Sequence, residues 1–235
     1  MTINNKEEKI HEDNRSAISF YILFALQFIL VAGGMFVNIK TGVSTSLLVL
    51  LMTPFILSRC SSLNFDLSRT RNGMMGLFVF IGIFYILELG NPNNVQEAWN
   101  ISITHYAIYP IAIAMLVPVA IRDRKGIEWL LFIWSAFILI AFMKGYWQKN
   151  HGFNHQELYF LYTLGGYRTH IIWSGIRYFS FFSDAANYGV HSAMGLTVFA
   201  ISALLVRPKW MKIYFAIVAI AAAYSVGISG TRSAM

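Results

Sequence analysis

Apolar residues in this chain come in long, nearly unbroken runs, not in the alternating or one-in-three patterns of elements with a wet face. The runs cover roughly Ala17 to Ile39, Val43 to Leu57, Met74 to Leu89, Ile103 to Ile121, Ile127 to Trp147, Ala185 to Val206 and Met211 to Ile228. A helix that crosses a bilayer needs about 20 mostly apolar residues. The pattern therefore predicts an all-α fold, a polytopic transmembrane helix bundle of about seven spans. The second and third runs are short, and Pro54 lies within the second, where it kinks or tilts a helix.

The polar interruptions orient the spans, because Lys and Arg near span ends are retained in the cytoplasm. Twelve of the 18 Lys and Arg fall on one side: Lys6, Lys9 and Arg15, then Arg59, Arg69 and Arg71, then Arg122, Arg124 and Lys125, then Arg207, Lys209 and Lys212. Lys40, Lys144, Lys149, Arg168, Arg177 and Arg232 fall on the other. The N-terminus is expected inside and the C-terminus outside. Residues 1–16 then form a cytoplasmic tail, 17–147 hold spans 1 to 5, 148–184 form an external loop, and 185–235 hold spans 6 and 7. The external loop is rich in aromatic, His and Gly residues, with apolar and polar positions interleaved, and is expected at the outer interface as a short amphipathic helix. GNPNNVQEAWN, from Gly90 to Asn100, reads as a turn followed by a capped helix start.

Composition agrees with that pattern. Hydrophobic residues make up 57% and charged residues 12%, against about half and about a quarter in a soluble domain. The net charge of +7 sits in short clusters between apolar runs, so the expected partner is a lipid bilayer and not nucleic acid. The single cysteine, Cys60, excludes an intrachain disulfide and any Cys-rich metal site. No small-residue cleavage site follows the first run, which is read as a retained span.

Candidate chemistry concentrates in Trp173 to Gly195. Asp184, Asn187, Tyr188 and His191 fall at i, i+3, i+4 and i+7, a spacing that lays a polar stripe along one helix face. Arg168 and Arg177 break the positive-inside trend beside Tyr167, Trp173 and Tyr178. Two readings stay open for them: a planar fork of donors for phosphate oxygens, or snorkelling arginines on headgroups and aromatic rings. Ser183 or Asp184 is placed to cap the sixth span, and that helix start beside Arg177 also suits an anion. The histidines His151, His155, His170 and His191 lack the spacing of a metal site, and no metal or cofactor is expected. Lys144 and Lys149 read as interfacial flanks of the fifth span, and Glu88 and Glu97 as solvated outer-edge residues.

Two stretches resemble the O-antigen ligase and O-antigen polymerase superfamily of bacterial envelope membrane proteins. The first is Arg177 followed by Phe181, Phe182, Ser183, Asp184, Ala185, Ala186, Asn187 and Tyr188; the second is Ser229, Gly230, Thr231, Arg232, Ser233 and Ala234. The chain departs from the family pattern where Ala185 replaces a proline, where the Asp to Asn spacing is one residue longer, and where Thr231 stands at a common serine. The resemblance implies a bacterial inner-membrane glycosyltransferase that works at the outer leaflet without a metal. Its donor would be a polyprenyl-diphosphate-linked glycan, and its acceptor a glycan or a lipid A-core. Arg177, Arg232, Asp184 and His191 would be catalytic, and Arg168, Asn187 and Tyr188 would bind substrate. The chain looks like the N-terminal half of such a protein, stopping just after Arg232, so a base expected in a later loop would be missing. Arg177, Asp184 and Arg232 are expected to converge at the outer mouth of the bundle. The competing class is a non-enzymatic transporter or flippase component for lipid-linked oligosaccharide, or a membrane scaffold.

Overall fold

The computed structural model of the chain describes residues 21–22, 24–26, 28–29, 71, 73–93, 95–121, 124–173, 175–182 and 184–231. From residue 73 on, they form α1 (Gly73–Leu87), one 3-10 turn (Glu88–Gly90), α2 (Gln96–Ile103), a π-helical stretch (Thr104–Ile108) and α3 (Tyr109–Ala120). Next come α4 (Arg124–His151), α5 (His155–Tyr162) and the short α6 (Tyr167–His170). The hairpin strands β1 (Ile171–Ile172) and β2 (Gly175–Ile176) lead to α7 (Ala185–Leu205) and α8 (Lys209–Ser229). The described chain is thus mostly helical, as its apolar runs predict, with one two-residue hairpin added.

Two compact units divide it, Met1–Gln27 with Gly42–Trp129 and Phe28–Thr41 with Leu130–Met235, the division falling within α4. In the first unit α1 packs on the π-helical stretch and on α3. Gly82 permits this approach: a Cβ there would lie 3.1 Å from Ile111 Cδ1 and 3.3 Å from Ala107 Cβ. The π register has a local cause. Pro110 has no N–H to give and its ring crowds the carbonyl four residues back, so the ladder loosens and the Tyr109 N–H reaches the Thr104 carbonyl.

The second unit carries the candidate site. Its frame is three helices long and apolar enough to cross a membrane: α4 with 28 residues, and α7 and α8 with 21 each. At 1.5 Å per residue, 21 residues extend about 32 Å, the thickness of a hydrocarbon core, whereas α4 extends about 42 Å and brings its charged ends beyond it. Asp184 starts α7 by accepting from the Ala186 N–H at 3.1 Å. Pro208 breaks the chain before α8, and Gly230, at φ +58, ends α8 in the left-handed conformation that glycine adopts without strain.

α7 and α8 form an antiparallel pair with α4 against them. Phe199 and Ile138 meet Phe215, Val218 and Ala222 in one core cluster, with Leu131, Phe132 and Trp134 of α4 packed around it. Small residues set the closest approach. A Cβ at Gly145 of α4 would lie 2.5 Å from the Tyr188 hydroxyl and 3.1 Å from Ile228 Cδ1, so this glycine lets α4, α7 and α8 meet.

Three expected spans, 127–147, 185–206 and 211–228, therefore correspond to α4, α7 and α8. The others differ. The run at Met74 to Leu89 makes only the 15-residue α1, about 22 Å long and short of a full crossing. The run at Ile103 to Ile121 is interrupted by the π-helical stretch, and its helix begins earlier, at Gln96. The expected span Val43 to Leu57 lies outside the described residues, as does that at Ala17 to Ile39 apart from helical residues between 21 and 29.

Candidate functional site

The site is assembled from the chain between α4 and α7, folded over one end of the three-helix frame. Asn154 starts α5 with a reciprocal cap: its Oδ1 accepts from the Glu157 N–H at 2.8 Å, and Glu157 Oε2 accepts from the Asn154 N–H at 2.7 Å. Glu157 is fully buried, and its other oxygen receives Lys144 Nζ at 2.6 Å and Gln148 Nε2 at 2.9 Å. Gln148 is buried too, and its amide grips the backbone of Ser180 on both sides. Its Oε1 accepts from the Ser180 N–H at 2.8 Å, and its Nε2 donates to the Ser180 carbonyl at 2.6 Å.

Ser180 needs that grip, since its φ of +55 puts a residue with a Cβ in the left-handed region. The tight turn sends Phe179 into a cluster with Leu161 and Ala185, and sends Phe181 and Phe182 into another with Phe137, Tyr188 and Ile228. The aromatic loop is thus wedged between α5 and the helical frame.

Arg177 is placed by backbone on both sides. Its N–H continues the hairpin register and donates to the His170 carbonyl at 2.8 Å, while the next N–H, of Tyr178, reaches the Ile228 carbonyl near the end of α8 at 3.3 Å. The side chain crosses the helix terminus, with Cγ 3.3 Å from where a Gly230 Cβ would stand. The two helix ends are also tied together: Thr231 Oγ1 donates to the Ala185 carbonyl at 3.1 Å. Arg177, the start of α7 and the end of α8 therefore meet at one place. The Nε of Arg177 is sealed from solvent there and has no hydrogen-bond partner. Arg232, one residue past Thr231, lies outside the described residues, as does Ser183.

His170 completes the floor. It is 1% exposed, edge-on to Phe179 at 4.7 Å and to Phe160 at 5.5 Å. Its Nδ1 donates to the Gly166 carbonyl at 2.8 Å, which leaves Nε2 buried and unpartnered. Burial pushes the imidazole below its usual 6.5, against the Gly166 hydrogen bond and the negative charge of Asp184, and with the positive charge of Arg177. A depressed folded pKa means that the unfolded chain binds the proton more readily. The contribution of His170 to stability is therefore full above pH 6.5 and is lost as pH falls through the folded pKa, at up to about 1.4 kcal/mol per pH unit. Thermal unfolding of wild type and His170→Gln between pH 5 and 7 checks this. The variant should show the flatter profile, and identical profiles would contradict it.

The other expected site residues are dispersed. Asp184 serves as the helix cap, and no ion pair joins it to Arg177 among the described residues. Arg168 is exposed on α6, with its guanidinium 6.0 Å from the Tyr167 ring centroid. Asn187 is exposed, so the i+3 member of the stripe lies beyond the buried arc. Tyr188, expected to bind substrate, is instead a core residue: it is fully buried, and its hydroxyl donates to the Ala141 carbonyl at 3.4 Å. His191 lies within an aromatic cage of Phe28, Trp134, Phe137 and Phe182. The Trp134 N–H, which can only donate, reaches His191 Nε2 at 3.1 Å, so that lone pair is engaged and the ring proton sits on Nδ1.

Lys144, read from sequence as an interfacial flank, is instead the partner of a buried carboxylate. Two signals pointed to this: Glu157 is the only acidic residue between Glu128 and Asp184, and Asn154 stands at capping-box distance before it. Among the described residues no group of three or more His, Cys, Asp or Glu side chains is disposed to hold a metal. Comparison with protein-family models, curated proteins and solved structures finds no match to this chain.

Proposed function

We propose that this chain is a component of bacterial envelope polysaccharide assembly, similar to the O-antigen ligases and polymerases. In this reading it sits in the inner membrane and transfers a glycan from a polyprenyl-diphosphate carrier at the outer leaflet. The observation that carries the reading is Arg177. Arg177 is half-buried where the start of α7 meets the end of α8, with an Nε that no group satisfies among the described residues. The buried Nε fixes one edge of the guanidinium against the protein, and because the residue is only half-buried the rest of its planar fork is left for an anionic oxygen.

The chemistry would be inverting transfer. An acceptor hydroxyl attacks the anomeric carbon, the bond from that carbon to the diphosphate oxygen breaks, negative charge gathers on the leaving diphosphate, and the hydroxyl proton is lost to water or to that diphosphate. Fixed positive charge there stabilises the transition state more than the ground state. Arg177 would supply it, joined by Arg232, the next residue in sequence after Thr231. Asp184 would act by holding the first turn of α7, and Arg168 from the exposed rim.

The test is turnover of lipid-linked glycan in membranes carrying wild type, Arg177→Lys or Arg232→Lys. Lysine keeps the charge but loses the planar fork, and each variant should release polyprenyl diphosphate about a hundredfold more slowly, the usual effect of one lost transition-state donor. Unchanged turnover in both variants would remove the reading.

A further inference from the structure

We propose that the segment from α5 through the hairpin is a membrane-docking surface, seated by its apolar outer face in the headgroup region of a bilayer that contains anionic lipid. The proposal does not rest on glycan transfer.

Its basis is a helix that is apolar on its outer side as well as its inner one. Along α5, Glu157, Phe160 and Leu161 form the inward arc, with Glu157 and Leu161 fully buried and Phe160 packed against the Leu161 and Phe179 cluster. Leu158, Tyr159 and Tyr162 form the opposite arc and are exposed, Tyr162 at 65%. A helix at a water-facing surface buries its apolar stripe and shows its charges. Here Phe160 and Leu161 are buried with the one carboxylate, and the arc left facing outward is apolar and aromatic as well, as suits a helix whose outer side meets a lipid interface.

The outer face continues beyond α5. Tyr167, Ile171 and Ile176 are exposed, and Trp173, between the strands, is fully exposed. Tyr and Trp at the edge of an apolar surface are the residues enriched at headgroup level. Isoleucine and leucine among them fit acyl chains and glycerol better than a hydrated sugar, which favours lipid over glycan as the occupant.

Charge selects the kind of lipid. From α5 to the end of the hairpin the only acidic residue is Glu157, which is buried and paired with Lys144, whereas Arg168 is exposed beside the Tyr167 ring. The face therefore offers uncompensated positive charge beside its apolar surface, and anionic headgroups complement it.

Spin labels at Trp173→Cys and Tyr162→Cys, each with Cys60→Ser, test this in vesicles of phosphatidylethanolamine and phosphatidylglycerol. Both side chains are exposed, so both variants should unfold at the wild-type temperature. Each label should collide several-fold more with dissolved oxygen, which concentrates in lipid, than with a water-soluble nickel complex. Replacing phosphatidylglycerol with phosphatidylcholine should shift both labels towards water. A nickel excess at either position overturns the proposal. If an added oligosaccharide then shields that label from nickel, the surface is a glycan platform instead, which equally overturns membrane docking.

Discussion

Glu157→Ala should destabilise the protein by about 3 kcal/mol, read as a fall in the unfolding midpoint in detergent. Removing one partner of a buried ion pair costs about 3–5 kcal/mol, because the other charge is left without compensation. Lys144 retains 26% side-chain exposure and recovers some hydration, which sets the effect at the lower end of that range. The carboxylate also accepts from Gln148 and from the Asn154 N–H, so its loss unfastens the start of α5 and the clamp on Ser180 together. Glu157→Gln keeps the shape and should lose less. Glu157→Leu combined with Lys144→Leu should be more stable than Glu157→Ala, because no buried charge is left over. A Glu157→Ala midpoint equal to that of wild type would show that the pair does not hold the loop.

Phe179→Ala should cost a comparable 3–5 kcal/mol, the range for emptying the site of a large buried aromatic. Phe179 is fully buried, stacked on Phe153 at 5.5 Å, tilted against Phe160 at 5.5 Å and met edge-on by His170. These neighbours come from α6, α5 and the turn before α5, so they cannot all close on the vacancy at once. Hydrogen exchange offers a second readout. The amides of Arg177, bonded to the His170 carbonyl, and of Tyr178, bonded to the Ile228 carbonyl of α8, should lose protection in the variant, whereas amides in the middle of α7 should not. Loss of stability below about 1 kcal/mol would mean that the site collapses readily and that the wedge is not rigid.

The three long helices were legible because their signals are local. Ile127 to Trp147 was expected and α4 spans Arg124–His151; the other two runs match α7 and α8 to within about two residues at each end. A run with few charges, those it has lying near its ends, fixes each helix by itself, and Asp184, Pro208 and Gly230 punctuate the chain through their own backbone and capping chemistry. The meeting of the α7 start with the α8 end was also legible, since a short turn between two helices of equal length leaves little else for them to do. The π-helical stretch was missed although Pro110 was visible, because a proline in a helix leads to a kink, a break or a register shift, and its place in the sequence alone does not choose among them.

Within the site, the sequence by itself determined where the polar groups are placed along the chain, with Arg177 just before the Asp184 cap. Only the tertiary structure decided which of them face one another. It put Tyr188 into the core and Asn187 outside it, gave His191 an indole donor from a residue 57 positions away, and turned Lys144 from a flank into the partner of Glu157. It also chose His170 among the histidines as the buried one beside Arg177. The physical reason is range. Helix length and caps depend on residues within a turn or two of one another, whereas the burial and pairing of a polar group depend on segments that meet only after the helices have packed, and no spacing along one segment records that meeting.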